Sequence, residues 1–213
     1  MHVKLHAISE EEPYARIILR HLRDFSTHFQ LFREWLRRAG LLLGFKIARS
    51  LLHTPVKIRT PLGEAEELQL LSPPLVVSVL GAGHFLAEGI LEAYPGAPLG
   101  FVAARRIEKK DALRVEISYR RLPREWRGPA IIADPMLATG MTIESAIGLL
   151  TSIGSKPLIV ASVISAPEGV ERLSKLPVDI EIYTLALDKG LDANYFIVPG
   201  LGDAGDRSLG ISV

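Results

Sequence analysis

Ala130-Ile131-Ile132-Ala133-Asp134-Pro135-Met136-Leu137-Ala138-Thr139-Gly140-Met141-Thr142 runs from an apolar stretch through one acidic residue and a short loop into a helix start. Ala130 to Ala133 has no polar residue to turn toward water, so it reads as a strand buried on both faces of a sheet. Behind the loop, Ile143 to Ile153 carries apolar residues at helical spacing, with Thr142 as its expected N-cap and Glu144 in its first turn. A buried strand entering a helix through a tight loop is the repeating unit of a parallel α/β sheet. Such sheets collect ligands outside the carboxyl ends of their strands, and the free N–H groups of a helix start attract phosphate. An anion is therefore expected at Ala138 to Thr142. Thr139 and Thr142 would add hydroxyl donors, and Gly140 would let the backbone come close. Asp134 repels phosphate but suits ribose hydroxyls, or a Mg²⁺ ion bridging them. The plainer alternative is a capped helix after a strand, with Asp134 as a turn former. The loop has neither the G-x-x-x-x-G-K-[ST] nor the G-x-G-x-x-G pattern, so ATP and dinucleotide readings lose support.

The same alternation continues on both sides. Strands are expected at Leu75 to Leu80, Leu99 to Ala104, Pro157 to Ile164 and Ile180 to Leu187, with a helix over Pro167 to Leu173 opened by its proline. The fold class is α/β, a central parallel sheet flanked by helices. Upstream, Tyr14 to Leu52 reads as two or three helices. Val56 to Arg59 with the turn Thr60-Pro61-Leu62-Gly63 suggests a hairpin or arm. The charged stretch Ile107 to Trp126 alternates at Leu113, Val115 and Ile117 and reads as a β-hairpin flap. Together these parts make a single domain: N-terminal helices and arm over 1–65, a core sheet over 66–190 with the flap at 107–126, and a separate segment over 191–213.

Composition limits the function. The 213 residues are 48% apolar and 23% charged, which suits a folded domain and excludes a disordered one. Twenty-five Lys and Arg against 24 Asp and Glu leave a net charge of +1, so no bulk field favours nucleic acid or a membrane surface, and any anion must be bound locally. The absence of cysteine excludes disulfides, thiolate metal sites and a thiol nucleophile. Residues 1–12 lack the apolar core of a signal peptide, and apolar runs such as Leu75 to Leu80 fall short of the ~18 residues that span a bilayer. A cytoplasmic location is expected. Trp35 and Trp126 read as packing anchors, and Arg33, Arg37 and Arg38 as a solvated helix face.

The second informative stretch is Tyr195-Phe196-Ile197-Val198-Pro199-Gly200-Leu201-Gly202-Asp203-Ala204-Gly205-Asp206-Arg207. Within it Val198 to Arg207 reads as a glycine-rich loop that brings backbone close to a ligand, with Asp206 and Arg207 as a local structural pair. Exposed main-chain N–H and C=O groups can match the alternating donors and acceptors of a pyrimidine edge without a side chain.

At this point a resemblance becomes specific. Asp134 to Gly140 resembles the phosphoribosyl diphosphate loop of uracil phosphoribosyltransferases, DPMLATG followed by Gly-Ser, with Met141-Thr142 in the last two places here. Tyr195 to Arg207 is similar to that family's uracil-binding segment. Weaker matches lie at Leu22-Arg23-Asp24 with Thr27, at Thr60 to Gly63, at Ala166-Pro167-Glu168-Gly169-Val170, and from Ile182-Tyr183-Thr184 to Asp188-Lys189-Gly190-Leu191. The resemblance implies the type I phosphoribosyltransferase fold and a reaction of uracil with 5-phosphoribosyl 1-diphosphate that yields UMP and diphosphate. It implies that Asp134 to Thr142, Gly81, Arg106 and Asp203 bind the phosphoribosyl donor, and that Ile197, Gly202, Asp203 and Ala204 bind uracil. Asp203 and Arg106 would be catalytic. Mg²⁺ would be held through substrate with no direct protein ligand. A homodimer or homotetramer and a nucleotide effector such as GTP or CTP are also implied.

Three departures fall on the leaving-group side. Leu80-Gly81-Ala82-Gly83 stands where the family has Leu-Arg-Ala-Gly, Phe25 follows Asp24 in place of a basic residue, and Ala104-Arg105-Arg106-Ile107 lacks the usual acidic residue. His84 is a candidate substitute donor for the missing Arg, although a single His near an apolar helix start more often packs or faces solvent. The alternatives are a catalytically weakened paralogue that binds UMP or the donor as a sensor or partner subunit, and an enzyme for another base.

Overall fold

The computed structural model describes residues 3–109 and 112–211, with the side chains of 105–114 outside that description. The chain opens with strand β1 (Val3–Ala7), a short 3-10 turn (Ile8–Glu10), and helices α1 (Pro13–Arg23) and α2 (Phe29–Ile47). A two-stranded arm follows, β2 (His53–Thr60) and β3 (Gly63–Leu70). The core is β4 (Leu75–Leu80), α3 (Gly83–Ala93), β5 (Leu99–Lys109), β6 (Ala112–Arg121), β7 (Ala130–Ala133), β8 (Met136–Leu137), α4 (Met141–Ser152), β9 (Leu158–Ser165), α5 (Pro167–Ser174) and β10 (Ile180–Leu187). It ends in a small hairpin, β11 (Gly190–Leu191) with β12 (Ile197–Val198), and helix α6 (Ala204–Leu209).

The main sheet runs β1-β10-β9-β7-β4-β5-β6, with β8 also paired to β9. Every pairing is parallel except β5 with β6. From β4 the chain steps one way to β5 and then returns to place β7 on β4's other side, so strand order reverses between β4 and β7. Ser78 pairs with Ala133 there, which sets Gly81 and Asp134 just beyond neighbouring strand ends. This reversal point is where an open α/β sheet leaves a crevice for a ligand.

The unbroken apolar strands are explained by the two faces they serve. Val76, Ile131 and Ile159 pack with Ile18, Phe32, Leu36 and Ile90 under α1 to α3. Their neighbours Val77, Ile132 and Val160 pack with Ile143, Ile147 and Leu173 under α4 and α5.

Four expectations need correction. Strand β1 had no counterpart in the sequence reading; it forms the sheet's edge by pairing Val3 to Ala7 with Ile180 to Thr184. Strand β5 does not stop at Ala104: it continues to Lys109, into the stretch read as the flap, and pairs there with β6. Thr142 is not the N-cap of α4. That place falls to Gly140 at φ 79, a left-handed conformation that costs glycine nothing, and the helix begins at Met141. The Arg33, Arg37 and Arg38 face is engaged: Arg33 donates to the carbonyls of Ser208 and Leu209, Arg37 to Glu88 at 2.7 Å, and Arg38 to Glu34 at 3.1 Å.

Candidate active site

The strand end at Asp134, the loop Ala138 to Gly140 and the first turn of α4 form one wall of a cleft of about 670 Å³. Tyr195, Phe196, Ile197 and Asp203 form the other. Asp134, Met136, Ala138, Thr139, Gly140, Met141 and Thr142 all line it, so the two stretches singled out in the sequence face each other across one opening. Pro135 and Leu137 turn inward. Pro135 accepts the N–H groups of Val163 and Ile164, and Leu137 is fully buried.

Local chemistry builds the first wall. The Gly140 carbonyl accepts from Glu144 N–H at 2.8 Å, so α4's first turn starts there and its leading N–H groups have no acceptor within the helix. Asp134 is held by its own turn, accepting from Met136 N–H at 3.2 Å through Oδ1.

The second wall is a hairpin whose turn is organised by Asp192, which accepts from the N–H groups of Asn194 at 2.8 Å and Phe196 at 2.9 Å. Tyr195 there has φ 65. Its foot is fixed by a long-range clamp. Arg23, at the end of α1, donates to both oxygens of Asp188 at 2.9 and 2.6 Å and to the Gly200 carbonyl at 2.8 Å, while Asp188 also accepts Gly200 N–H at 3.0 Å. Gly200 has φ 65, and a Cβ there would lie 2.0 Å from the Ile197 carbonyl oxygen, so no side chain fits this turn.

The glycine-rich loop expected from Val198 to Arg207 becomes helix at Ala204. Asp203 is its N-cap and accepts Asp206 N–H at 3.0 Å through Oδ1. Arg207 does not pair with Asp206. It donates to the carbonyls of Leu22, Leu201 and Asp24 and lies over the Phe32 ring at 4.4 Å. Gly202 is exposed beside Asp203, and the Ala204 side chain is buried.

On the third side, Gly81 is exposed at the end of β4, joined to Leu80 by a cis peptide bond, and is not part of the cleft lining. Its neighbour His84 turns toward Phe101, with Nε2 3.6 Å from Glu88. The backbone of Arg106 pairs with Val115 in β5 and β6; its side chain is outside the described residues. Sequence reasoning missed Tyr195 and Phe196 as lining residues and the Arg23–Asp188 clamp. The signal for the clamp was present, since both residues lie in stretches that match the family.

Known proteins agree with this layout. The family model described as uracil phosphoribosyltransferase matches residues 8–210. The chain is 47% identical over 205 residues to the uracil phosphoribosyltransferase of Aeropyrum pernix, covering 96% of each chain. It is 42% identical over 200 residues to that of Pyrobaculum arsenaticum, covering 92% of this chain and 94% of the relative. Among solved structures, the AQ2163 protein from Aquifex aeolicus superposes with a TM-score of 0.89 at 30% identity, over 98% of this chain and 99% of that one. A hypoxanthine phosphoribosyltransferase from Staphylococcus aureus shares the fold, with a TM-score of 0.50 at 14% identity over 79% of this chain and 85% of that one. A match of this extent takes in both walls of the cleft, and the chain belongs to the uracil phosphoribosyltransferase family.

Proposed function

We propose that this chain transfers ribose 5-phosphate from 5-phosphoribosyl 1-diphosphate to uracil, giving UMP and diphosphate. The observation that carries the reading is the single cleft in which α4's first turn faces the Ile197 hairpin. The 5′-phosphate sits on the N–H groups of Ala138 to Thr142. Asp134 takes the ribose hydroxyls. Uracil lies against the backbone from Ile197 to Ala204. Uracil N1 forms a bond to the anomeric carbon as the bond to diphosphate breaks, and the N1 proton is lost. Asp203 orients that nitrogen or receives its proton through Oδ2, since Oδ1 caps α6. No covalent enzyme nucleophile is needed, because alignment, electrostatic stabilisation and exclusion of water suffice.

Among the described residues no three His, Asp or Glu side chains converge as a metal cage. Asp134 and Asp203, single carboxylates on opposite walls, fit a Mg²⁺ ion carried mainly by substrate oxygens. When bound, Mg²⁺ neutralises the leaving diphosphate. Arg106 and Gly81 belong to that end of the site. The reading as a weakened paralogue is less favoured, because relatives up to 47% identical carry the name of the enzyme.

The resemblance also implies a homodimer or homotetramer and an effector such as GTP or CTP. Leu62 at the arm's turn is 99% exposed and Leu68 on β3 is 70% exposed, which supports the arm as a subunit contact. No helix among the described residues is long and apolar enough to cross a membrane. A cytoplasmic location rests on the cysteine-free composition.

The test is calorimetry with UMP, joined to turnover of labelled uracil and cytosine. UMP binding and turnover of uracil over cytosine are expected. No UMP binding at millimolar concentration, or a bound phosphate away from Ala138 to Thr142, overturns the assignment.

A further inference from the structure

Helix α5 lies behind both walls of the cleft and contacts each through a different side chain. Its first turn is packed against the phosphate loop so closely that a Cβ at Gly169 would stand 2.4 Å from the Ala138 carbonyl oxygen. One turn apart on this helix, Glu168 and Arg172 reach in opposite directions. Glu168 Oε1 accepts the Leu191 N–H at 3.0 Å and lies against Gly190, at the root of the base hairpin. Arg172 Nη1 donates to Glu144 Oε2 at 2.9 Å in the first turn of α4, and its Cδ backs onto Gly140. Thr139, Leu191 and Tyr195 share the groove in which both side chains lie.

The base hairpin has little to fix it from within. Its strands are two residues each, Gly190 with Val198 and Leu191 with Ile197, closed by the Asp192 turn, and its tip residues Tyr195 and Phe196 are half exposed. A short hairpin with so few buried contacts opens locally at low cost. The Arg23–Asp188 clamp holds its foot at Gly200; Glu168 holds its other strand.

We propose that Glu168 is a positioning residue for the uracil subsite, and that Arg172 is the matching residue for the phosphate loop, so that α5 sets the spacing between base and ribose phosphate. Neither touches substrate. Both contacts are exposed to solvent, where such pairs add little to global stability. Their effect therefore lies in the geometry of each wall, and in the entropy of ordering the hairpin when uracil binds. The inference rests on the assignment of the two walls to base and phosphate made above.

The test compares Glu168→Ala, Glu168→Gln and Arg172→Ala in the full chain, with Michaelis constants for both substrates, melting temperature, and hydrogen exchange of residues 189–198 in the free protein. Glu168→Ala should raise KM for uracil about three- to tenfold, the worth of one ordinary solvent-exposed hydrogen bond, with KM for the phosphoribosyl donor and the melting temperature nearly unchanged. Exchange at Leu191 should quicken. Glu168→Gln should restore both, because its amide oxygen still accepts. Arg172→Ala should show the crossed pattern and raise KM for the donor alone. Equal changes in both constants, a shift in melting temperature alone, or no change in either overturns the proposal. Hydrogen exchange needs no substrate, so if wild-type protein fails to use uracil the proposed reaction falls, while unchanged exchange in Glu168→Ala removes the hairpin contact on its own evidence.

Discussion

Substitution of Asp203 separates two tasks held by one carboxylate. Oδ1 caps α6, and removal of an N-cap side chain costs about 0.5–2 kcal/mol. The helix has six residues and is also held by Arg207 at the carbonyls of Leu22, Leu201 and Asp24 and by Arg33 at those of Ser208 and Leu209, so the loss should fall near 1 kcal/mol. For a chain of this size that lowers the melting temperature by about 2–4 °C. The proton-handling or orienting role is worth more, since removal of a general base commonly costs roughly 10²–10⁴ in rate. Asp203→Asn isolates the second task, because Asn caps a helix as well as Asp does. Asp203→Ala should lose both stability and turnover, while Asp203→Asn should melt like wild type and still lose at least about tenfold in kcat. The assay is initial-rate turnover of labelled uracil beside thermal melts of the same preparations. If Asp203→Asn turns over at the wild-type rate, the carboxylate has no chemical role and Asp203 is a cap alone.

Three further outcomes are expected. Gly81→Arg should lower KM for the phosphoribosyl donor by about tenfold or more and leave UMP affinity unchanged, since an arginine–phosphate hydrogen bond contributes roughly 1.5–3 kcal/mol; space is available, because a Cβ there meets only Leu209 Cδ1, at 3.5 Å. A stable variant with unchanged KM would show that the glycine is already compensated. Arg23→Ala leaves Asp188, whose side chain is 5% exposed, without its cation and frees the Gly200 carbonyl. Breaking a buried pair costs about 3–5 kcal/mol, and the partial exposure of Arg23 puts this one near 3, which urea denaturation will measure. Burial pushes the Glu181 carboxyl up, but the hydrogen bonds from His6 and Ser50 and the charge of Lys4 outweigh it and hold it below its ordinary 4.5. A carboxyl depressed on folding adds stability that is present above pH 4.5 and lost as pH falls through the lower folded value. Stability curves of Glu181→Gln should accordingly be flatter than wild type below pH 4.5, and parallel curves would refute the linkage.

The parts of the fold that could be read from sequence are those whose local pattern and tertiary surroundings agree. Leu75 to Leu80, Ala130 to Ala133 and Ile180 to Leu187 are dominated by apolar residues because both faces of the sheet are covered, and the structure places strands at those residues. Strand β1 was hidden because two of its five residues, Lys4 and His6, are polar; their partner is Glu181, far away in sequence. The extent of β5 was hidden because Arg105, Arg106, Glu108 and Lys109 break the apolar run of Leu99 to Ala104 in the sequence. Helix α6 was hidden because Gly205 argues against helix, and because the groups that satisfy its end carbonyls come from Arg33 on α2. In the cleft, Asp134 to Thr142 was legible as a strand-loop-helix unit. Tyr195 and Phe196 were not, since they line the cleft only because the Asp192 turn and a φ of 65 at Tyr195 aim that tip across it.

The edge position of β1 also bears on how the chain is made. Ala7 pairs with Thr184, so β1 cannot find its partner until another 177 residues have been added. At roughly 5–20 residues per second that wait is on the order of ten to thirty seconds. Meanwhile α1 and α2 can form, but the strands they cover, β9 and β10, are among the last to be synthesised. The sheet therefore grows outward from its middle, and β1, made before any of its other strands, is the one that seals it. A nascent chain stopped before β10 would present β9 as a bare parallel edge beside uncovered apolar helices, the state in which this protein is most exposed to aggregation.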